Sequence, residues 1–424
     1  MAEKVRGVKN IRLFGQDLLT LGGFDVPFFV LLLALLSYGL IMVYSASMPT
    51  SAVEQSSSAS IFLGQLKWVV AGLVLMLLIS QLDMRLVRKY GWLLYAACVG
   101  LCAIVLFIND PNYPGFHRWI RFGGFSIQPS EFMKTGLIVM LAVVMAKYHS
   151  RIVSRHPAKS QMAASVRRVF PFSFIKRLGF EPITEALFPT ILCGAIILLP
   201  ALLVIAGNHN SGAIILLLIG IVMLYIGDFK RGWFILGAVG FIAVAALIFY
   251  LYKNNPELLE KIDSKGRIMS WLVKDYASIG TRWQINNALF AIGSGGFLGV
   301  GLGNSVQKYY YVPEPQNDMI FSILCEELGF VGAALMLILF AALIIRGTLI
   351  GLRAKTRFNK FVAIGVVMHI GLQVVLNVAV VTEVIPNTGI GLPFFSSGGS
   401  AMLTFLAEAG LVLAVSKDSR MVKM

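Results

Sequence analysis

Residues 313–329 read PEPQNDMIFSILCEELG, and the apolar run continues through FVGAALMLILFAALII to Ile345. A run of this length crosses the ~30 Å of a bilayer's hydrocarbon as a helix. Its entry is polar and acidic, with Asp318 at the mouth and Glu314 four residues earlier. Ionisable groups at the edge of a span are costly to place, which makes Asp318 a functional candidate. Capping of the helix that follows is the plain alternative. Glu326 and Glu327, two turns on, add to the acidic character of the segment. A carboxylate held against apolar surface can accept a proton near neutral pH, as a general base must.

The rest of the chain has the same character. Of 424 residues, 57% are hydrophobic and 13% charged, and the apolar residues fall in runs rather than alternating. Ten runs read as spans, near 26–47, 61–82, 91–109, 131–147, 186–206, 211–227, 232–252, 319–345, 361–382 and 399–415. The pattern predicts an all-α polytopic membrane protein, because a spanning helix satisfies its own backbone. The basic N-terminus leads into a span-length run without a small-residue cleavage site, so no cleavable signal is expected.

Charge sets the orientation. With the N-terminus inside, inner segments collect 25 of the 36 Lys and Arg, and both termini are expected in the cytoplasm. Asp318 then faces outward. The net charge of +15 suits anionic inner-leaflet lipids and calls for no nucleic acid.

The expected organisation is a basic arm (1–25), one transmembrane domain (26–415) and a short cytoplasmic tail (416–424). Within the domain, 48–60 reads as a Ser-rich outer loop and 148–185 as a basic cytoplasmic loop containing VRRVFPFSFIKRLGF. Such a stretch suits the headgroup layer. The large outer loop 253–317 holds a segment near Trp283–Phe297 that suits a re-entrant or interfacial helix. Its glycines, in AIGSGGFLGVGLGNS, lack the strand and helix of a nucleotide loop. The four cysteines lie in apolar runs without metal-ligand spacing, and His209 sits alone in the short turn 207–212.

Two further stretches carry chemistry. In HRWIRFGGFSIQPSEFMK (117–134), Pro129 suits a helix entry, and Glu131 and Lys134 lie three apart on one helix face. A structural ion pair is the plain reading of that spacing. Arg118 and Arg121 suit contact with phosphate, and Arg118 with Trp119 equally suits interfacial anchoring. In PNTGIGLPFFSSGGSAM (386–402), two prolines and four glycines interrupt apolar sequence. Irregular backbone at membrane depth survives only inside protein or along a wet cavity. That points to a substrate cavity near the outer surface, with a tight loop as the alternative.

Together, PEPQNDMIFSILCEELG, GLGNSVQK, RW…IQPSEFMK and NTGIGLPFFSSGGS resemble the shape, elongation, division and sporulation (SEDS) family of glycosyltransferases, over nearly the whole chain. Within it the division and sporulation branch (FtsW, SpoVE) is a better match than the elongation branch (RodA). The resemblance implies ten membrane helices in the bacterial cytoplasmic membrane, with the active site outside. It implies polymerisation of lipid II into glycan strands by inverting transfer, alongside a class B penicillin-binding protein and other membrane proteins of the division complex. The family's essential aspartate falls on Asp318. Its other motif positions fall on Arg118, Trp119, Gln128, Glu131 and Lys134, and on Pro393, Phe394, Ser396, Gly398, Gly399 and Ser400. The departing diphosphate needs cationic help, for which Arg118, Lys134, Arg267 and Lys308 are candidates, as is a divalent cation such as Mg or Mn. The turn 207–212 departs from the family pattern, reading Asn-His-Asn-Ser-Gly in place of Gln-Pro-Asp-Leu-Gly. A flippase for lipid-linked precursors, and a non-catalytic scaffold, are the competing readings.

Overall fold

The computed structural model describes residues 9–13, 16–21, 24–53, 60–108, 117–122, 125–153, 187–254, 271, 279–309 and 311–418. Each expected span has its helix: α1 (Val26–Val53), α2 (Ser60–Ser80), α3 (Met84–Ile104), α4 (Pro129–Val153), α5 (Leu187–Ala206), α6 (Asn210–Ile226), α7 (Arg231–Asn254), α9 (Ile320–Leu352), α10 (Arg357–Val381) and α11 (Gly399–Asp418). Among the described residues, nine are long and apolar enough to cross a membrane, and α6, at 17 residues, is a shorter apolar helix. α8 (Ile279–Gly295) is the additional helix expected in the large loop. Short antiparallel hairpins join β1 (Lys9–Leu13) to β2 (Gln16–Leu21) in the N-terminal arm, and β3 (Ile120–Phe122) to β4 (Phe125–Ile127) just before α4.

Several boundaries differ from the sequence reading, among them those of the fourth span, whose helix runs to Val153 and not 147, and of the eighth, which runs to Leu352 and not 345. The third helix begins at Met84, not 91, so Arg85, Arg88 and Lys89 lie on its first turns. Asp83 makes this possible: its carboxylate accepts the Arg85 N–H at 2.8 Å and caps the helix. α1 runs on to Val53, into the stretch read as the loop 48–60. Of the basic stretch 148–185, residues 154–185 lie outside the described residues.

α10, α11 and α4 form the interior of the bundle, with 61%, 78% and 50% of their most apolar windows buried, against 22% for α2 and α3. α2 packs along α11, α1 and α10 flank α9, and α4 touches α3, α5, α6, α10 and α11. At one end, Asp25 at the head of α1 takes a two-pronged ion pair from Arg346 near the end of α9, at 2.9 and 2.8 Å. The backbone N–H of Asp25 also reaches Ser416 of α11 at 3.1 Å, tying three helices together.

α9 is kinked at Gly329, whose φ of 64° and ψ of −163° break the helical repeat. A side chain there would collide with the backbone of Gly299, its Cβ 2.4 Å from that nitrogen. The broken repeat frees the carbonyls of Glu326 and Glu327 and the N–H groups of Phe330 and Val331, which would otherwise bond to one another. The glycine-rich segment after α8 takes up all four. Val300 and Gly301 donate to Glu326 and Glu327 at 2.9 and 3.0 Å, while Phe330 and Val331 donate to the carbonyls of Gly296 and Phe297 at 3.0 and 3.2 Å. These glycines therefore serve as a backbone splint for a broken helix.

Candidate active site

The starts of α4, α6, α9 and α11 and the end of α10 meet at one end of the bundle around a cavity of about 300 Å³. Residues from widely separated parts of the chain line it: Trp119, Gln128, Glu131 and Lys134, His209 and Ser211, Glu314 and Asp318, Gln373, then Ser396, Gly398 and Ser400.

Asp318 is placed by its neighbours on both sides. Helix α9 starts at Ile320 with Met319 as its cap residue, and no side chain makes the cap bond. Asp318 is therefore not the helix cap. The amide of Asn377 on α10 donates to the carbonyls of Asp318 (2.8 Å) and Ile390 (2.7 Å), stitching two irregular segments together. Ser396 donates to the Asn317 carbonyl at 2.7 Å and accepts from the Leu392 N–H at 2.6 Å. Ser397 N–H donates to the carbonyl of Gln316 at 2.8 Å. The loop between α10 and α11 is thus laced to the residues just ahead of Asp318. This satisfies its own polar backbone, as its depth in the protein requires.

That loop is also clamped from α2. Gln65 donates to the Ser396 carbonyl at 3.3 Å and accepts from Gly398 N–H at 3.2 Å. It crosses α1 at Gly39, where a Cβ would lie 2.2 Å from the Phe394 carbonyl oxygen, so a glycine is required for the approach. Ser400 accepts from Gln128 N–H and donates to the Ser126 carbonyl, each at 3.1 Å, fastening α11 to the entry of α4.

Glu131 and Lys134 make the ion pair their spacing suggested, at 2.7 Å, and both also line the cavity. Lys134 is 1% exposed and also reaches Gln373 Oε1 at 3.4 Å. Oε2 of Glu131 is buried and has no hydrogen-bond partner.

Other sequence candidates sit elsewhere. Arg118 donates to the Asn208 carbonyl and braces the turn before α6, rather than lining the cavity. Pro393 is buried within the loop, and Gly399 lies against the Trp68 ring, where a Cβ would come within 2.3 Å. Lys308 does not line the cavity: its ammonium is sealed between Glu327 (2.8 Å), the Gly303 carbonyl (2.7 Å) and Ser45 (3.2 Å). Glu326 and Glu327 likewise hold the splint segment and do not accompany Asp318. Glu326 accepts from Val306 and Gln307 N–H. Arg267 lies outside the described residues. The cysteines are buried and unpaired, consistent with a packing role.

His209, alone in its short turn in the sequence, lines the cavity, with Nδ1 3.3 Å from the Gln128 amide and 3.2 Å from Ser130. Gln65, Gln373 and Asn377 were not singled out at all. Their signal was available: amides inside apolar helices, with His369, Gln373 and Asn377 four apart on one face of α10. Among the described residues, no three His, Cys, Asp or Glu side chains cluster to hold a metal.

Residues 26–421 match the FtsW/RodA/SpoVE cell cycle protein family model. The chain is 35% identical to stage V sporulation protein E of Bacillus subtilis (strain 168) over 93% of its length and 98% of that protein. It is 32% identical to the probable peptidoglycan glycosyltransferase FtsW of Trichlorobacter lovleyi, over 93% and 94%. Its fold is similar to a chain solved in work on a peptidoglycan synthase complex (TM-score 0.69, 23% identity, 94% of this chain and 99% of that one). It is also similar to the rod shape determining protein RodA of Thermus thermophilus (TM-score 0.63, 22% identity, 94% and 98%). The chain is a multi-pass membrane protein of the FtsW/RodA/SpoVE cell cycle family.

Proposed function

We propose that this protein is a peptidoglycan glycosyltransferase of the bacterial cytoplasmic membrane that polymerises lipid II at this cavity, in cell division. The observation that carries the reading is convergence: Asp318, the Glu131–Lys134 pair, and Ser396 with Ser400 come from three separate stretches and line one cavity. Relatives named as peptidoglycan glycosyltransferases support the enzyme class.

The cavity suits an anionic lipid-linked donor. Four helices, α4, α6, α9 and α11, begin at it, and the N-terminal end of a helix favours negative charge. Lys134 adds a full positive charge. The opposite ends of α9 and α10 carry Arg346, Arg353, Lys355, Arg357 and Lys360. The positive-inside rule supports reading that end as cytoplasmic and the cavity as facing outward.

In the reaction, Asp318 takes the proton from the acceptor sugar's 4-hydroxyl. The oxygen attacks the anomeric carbon of the donor, a new glycosidic bond forms with inversion, and undecaprenyl diphosphate leaves with the bonding electron pair. Lys134 and the helix N-termini meet the charge that grows on the leaving oxygen. A class B penicillin-binding protein would supply crosslinking beside it, together with other division-complex membrane proteins.

The test is polymerisation of purified lipid II by wild type and Asp318→Asn, each with and without the cognate transpeptidase. Glycan ladders from wild type and none from a folded Asp318→Asn variant are expected. Comparable ladders from both would move the base elsewhere. Failure of wild type under every condition, with lipid II crossing between leaflets, would turn the assignment to a flippase.

A further inference from the structure

Behind the cavity wall, α10 and α11 bury two titratable side chains that the reaction above does not use. His369 is 1% exposed and Glu408 0%. Glu408 Oε1 accepts from the Thr135 hydroxyl at 2.8 Å, and its Oε2 lies 2.9 Å from His369 Nδ1. The other ring nitrogen, Nε2, lies 3.1 Å from Gln373 Oε1. Phe405 stacks on the imidazole, with ring centres 5.3 Å apart and planes at 25°.

The positions of the hydrogens follow from the partners. Gln373 Nε2 donates to the Gly391 carbonyl at 3.1 Å, which can only accept, so the opposite end of the amide is the oxygen. That oxygen receives the Lys134 ammonium. His369 Nε2 must therefore carry a hydrogen to make its own contact. The contact between Nδ1 and Glu408 then needs one more proton, on the ring facing a carboxylate or on the carboxyl facing a neutral ring. Both arrangements hold the same number of protons and the same net charge. Without that proton, two lone pairs would face each other in a dry interior, a costly arrangement.

We propose that the His369–Glu408 pair, holding one shared proton, is a positioning device for the cavity. It fixes the Gln373 amide, and Gln373 in turn holds the Lys134 ammonium and the Gly391 carbonyl in place. Glu408 and His369 touch no substrate; they act through Gln373. Lys134 and Glu131 on α4 are the charged groups at the cavity end of this chain, and Thr135 closes its inner end. The inference rests on the reading of Lys134 as the cation that meets the leaving diphosphate.

Substitution at Glu408 separates positioning from packing. In Glu408→Gln the new amide donates to Nδ1 and accepts from Thr135, reproducing the neutral-ring form, so polymerisation should stay close to wild type. Glu408→Leu and Gln373→Leu, of similar volume but unable to complete the chain, should each lose about 10-fold or more in turnover, with KM little changed. Combining the two leucines should cost no more than either alone, because both break one chain. The proposal is overturned if folded Glu408→Leu turns over like wild type, if Glu408→Gln is as impaired as Glu408→Leu, or if the two losses multiply. Nitrogen-15 NMR of the chain's five histidines reads the pair without any turnover. His369 should hold a proton on Nε2 in wild type and in Glu408→Gln, and lose that preference in Gln373→Leu. A proton absent from Nε2 in wild type would refute the positioning chain. An inactive wild type that shows this tautomer would refute only the assigned reaction.

Discussion

Among the described residues stand two buried lysine–glutamate pairs that differ in what surrounds them. Lys308 and Glu327 lie 2.8 Å apart, both side chains at 0% exposure. Every group there is used: Lys308 also donates to Gly303 and Ser45, and the Ser45 hydroxyl lies 2.7 Å from both carboxylate oxygens of Glu327. Lys134 and Glu131 lie 2.7 Å apart, but on the cavity wall, with Glu131 Oε2 left without a partner. A pair sealed on every side holds structure together, whereas a pair that lines a cavity can meet a ligand there. Ion pairing alone would have ranked the two lysines equally as phosphate contacts, and their surroundings rank them oppositely.

Breaking the sealed pair should give the largest change in stability. Lys308→Met strands Glu327 without water, and removing one partner of a buried pair costs about 3–5 kcal/mol. Thermal melting in detergent should fall sharply, with activity lost in proportion to unfolding. Adding Glu327→Leu should recover much of the melting temperature, because an apolar pair needs no compensation. A Lys308→Met variant that melts like wild type would erase the contrast. The cavity pair should respond the other way. Lys134→Met leaves Glu131 beside a cavity that water can enter, so the melting temperature should move less. Turnover of lipid II should drop by about 100-fold or more, the usual scale for losing one stabilising charge or donor at a leaving group.

The membrane architecture was legible because span-length apolar runs admit only one backbone solution, and each expected span has a helix within a few residues. The start of α3 was misread because charged residues hid a helical first turn that Asp83 caps. Asp318, Glu131 and Lys134 were legible as charges in costly places. Lys308, a candidate only because the leaving diphosphate needs a cation, lies sealed away from the cavity, since a sequence does not reveal whether a charge faces protein or water. The amides Gln65, Gln373 and Asn377 went unseen because their role depends on which helices meet across the bundle. The glycines after α8, which lack the setting of a nucleotide loop, carried no sign of their role: they splint α9 at Gly329, a partner about thirty residues further along.

Gln65 gives the smallest and most selective test of the same contrast. It carries no charge and contributes nothing to either ion pair, yet it holds the Ser396 carbonyl and Gly398 N–H at the cavity rim. Gln65→Leu removes two hydrogen bonds of about 1 kcal/mol each, and leucine is at home in α2. Melting should therefore drop slightly, less than for Lys308→Met. The loop that carries Ser396 should loosen relative to Asn317 and Asp318, so turnover should fall several-fold while the fold stays intact. A protease-accessibility or hydrogen-exchange measurement should localise the loosening to residues 390–398. If exchange instead rises around Gly303 and Lys308, the two regions are mechanically coupled. The division between a sealed structural pair and an open functional one would then be too simple.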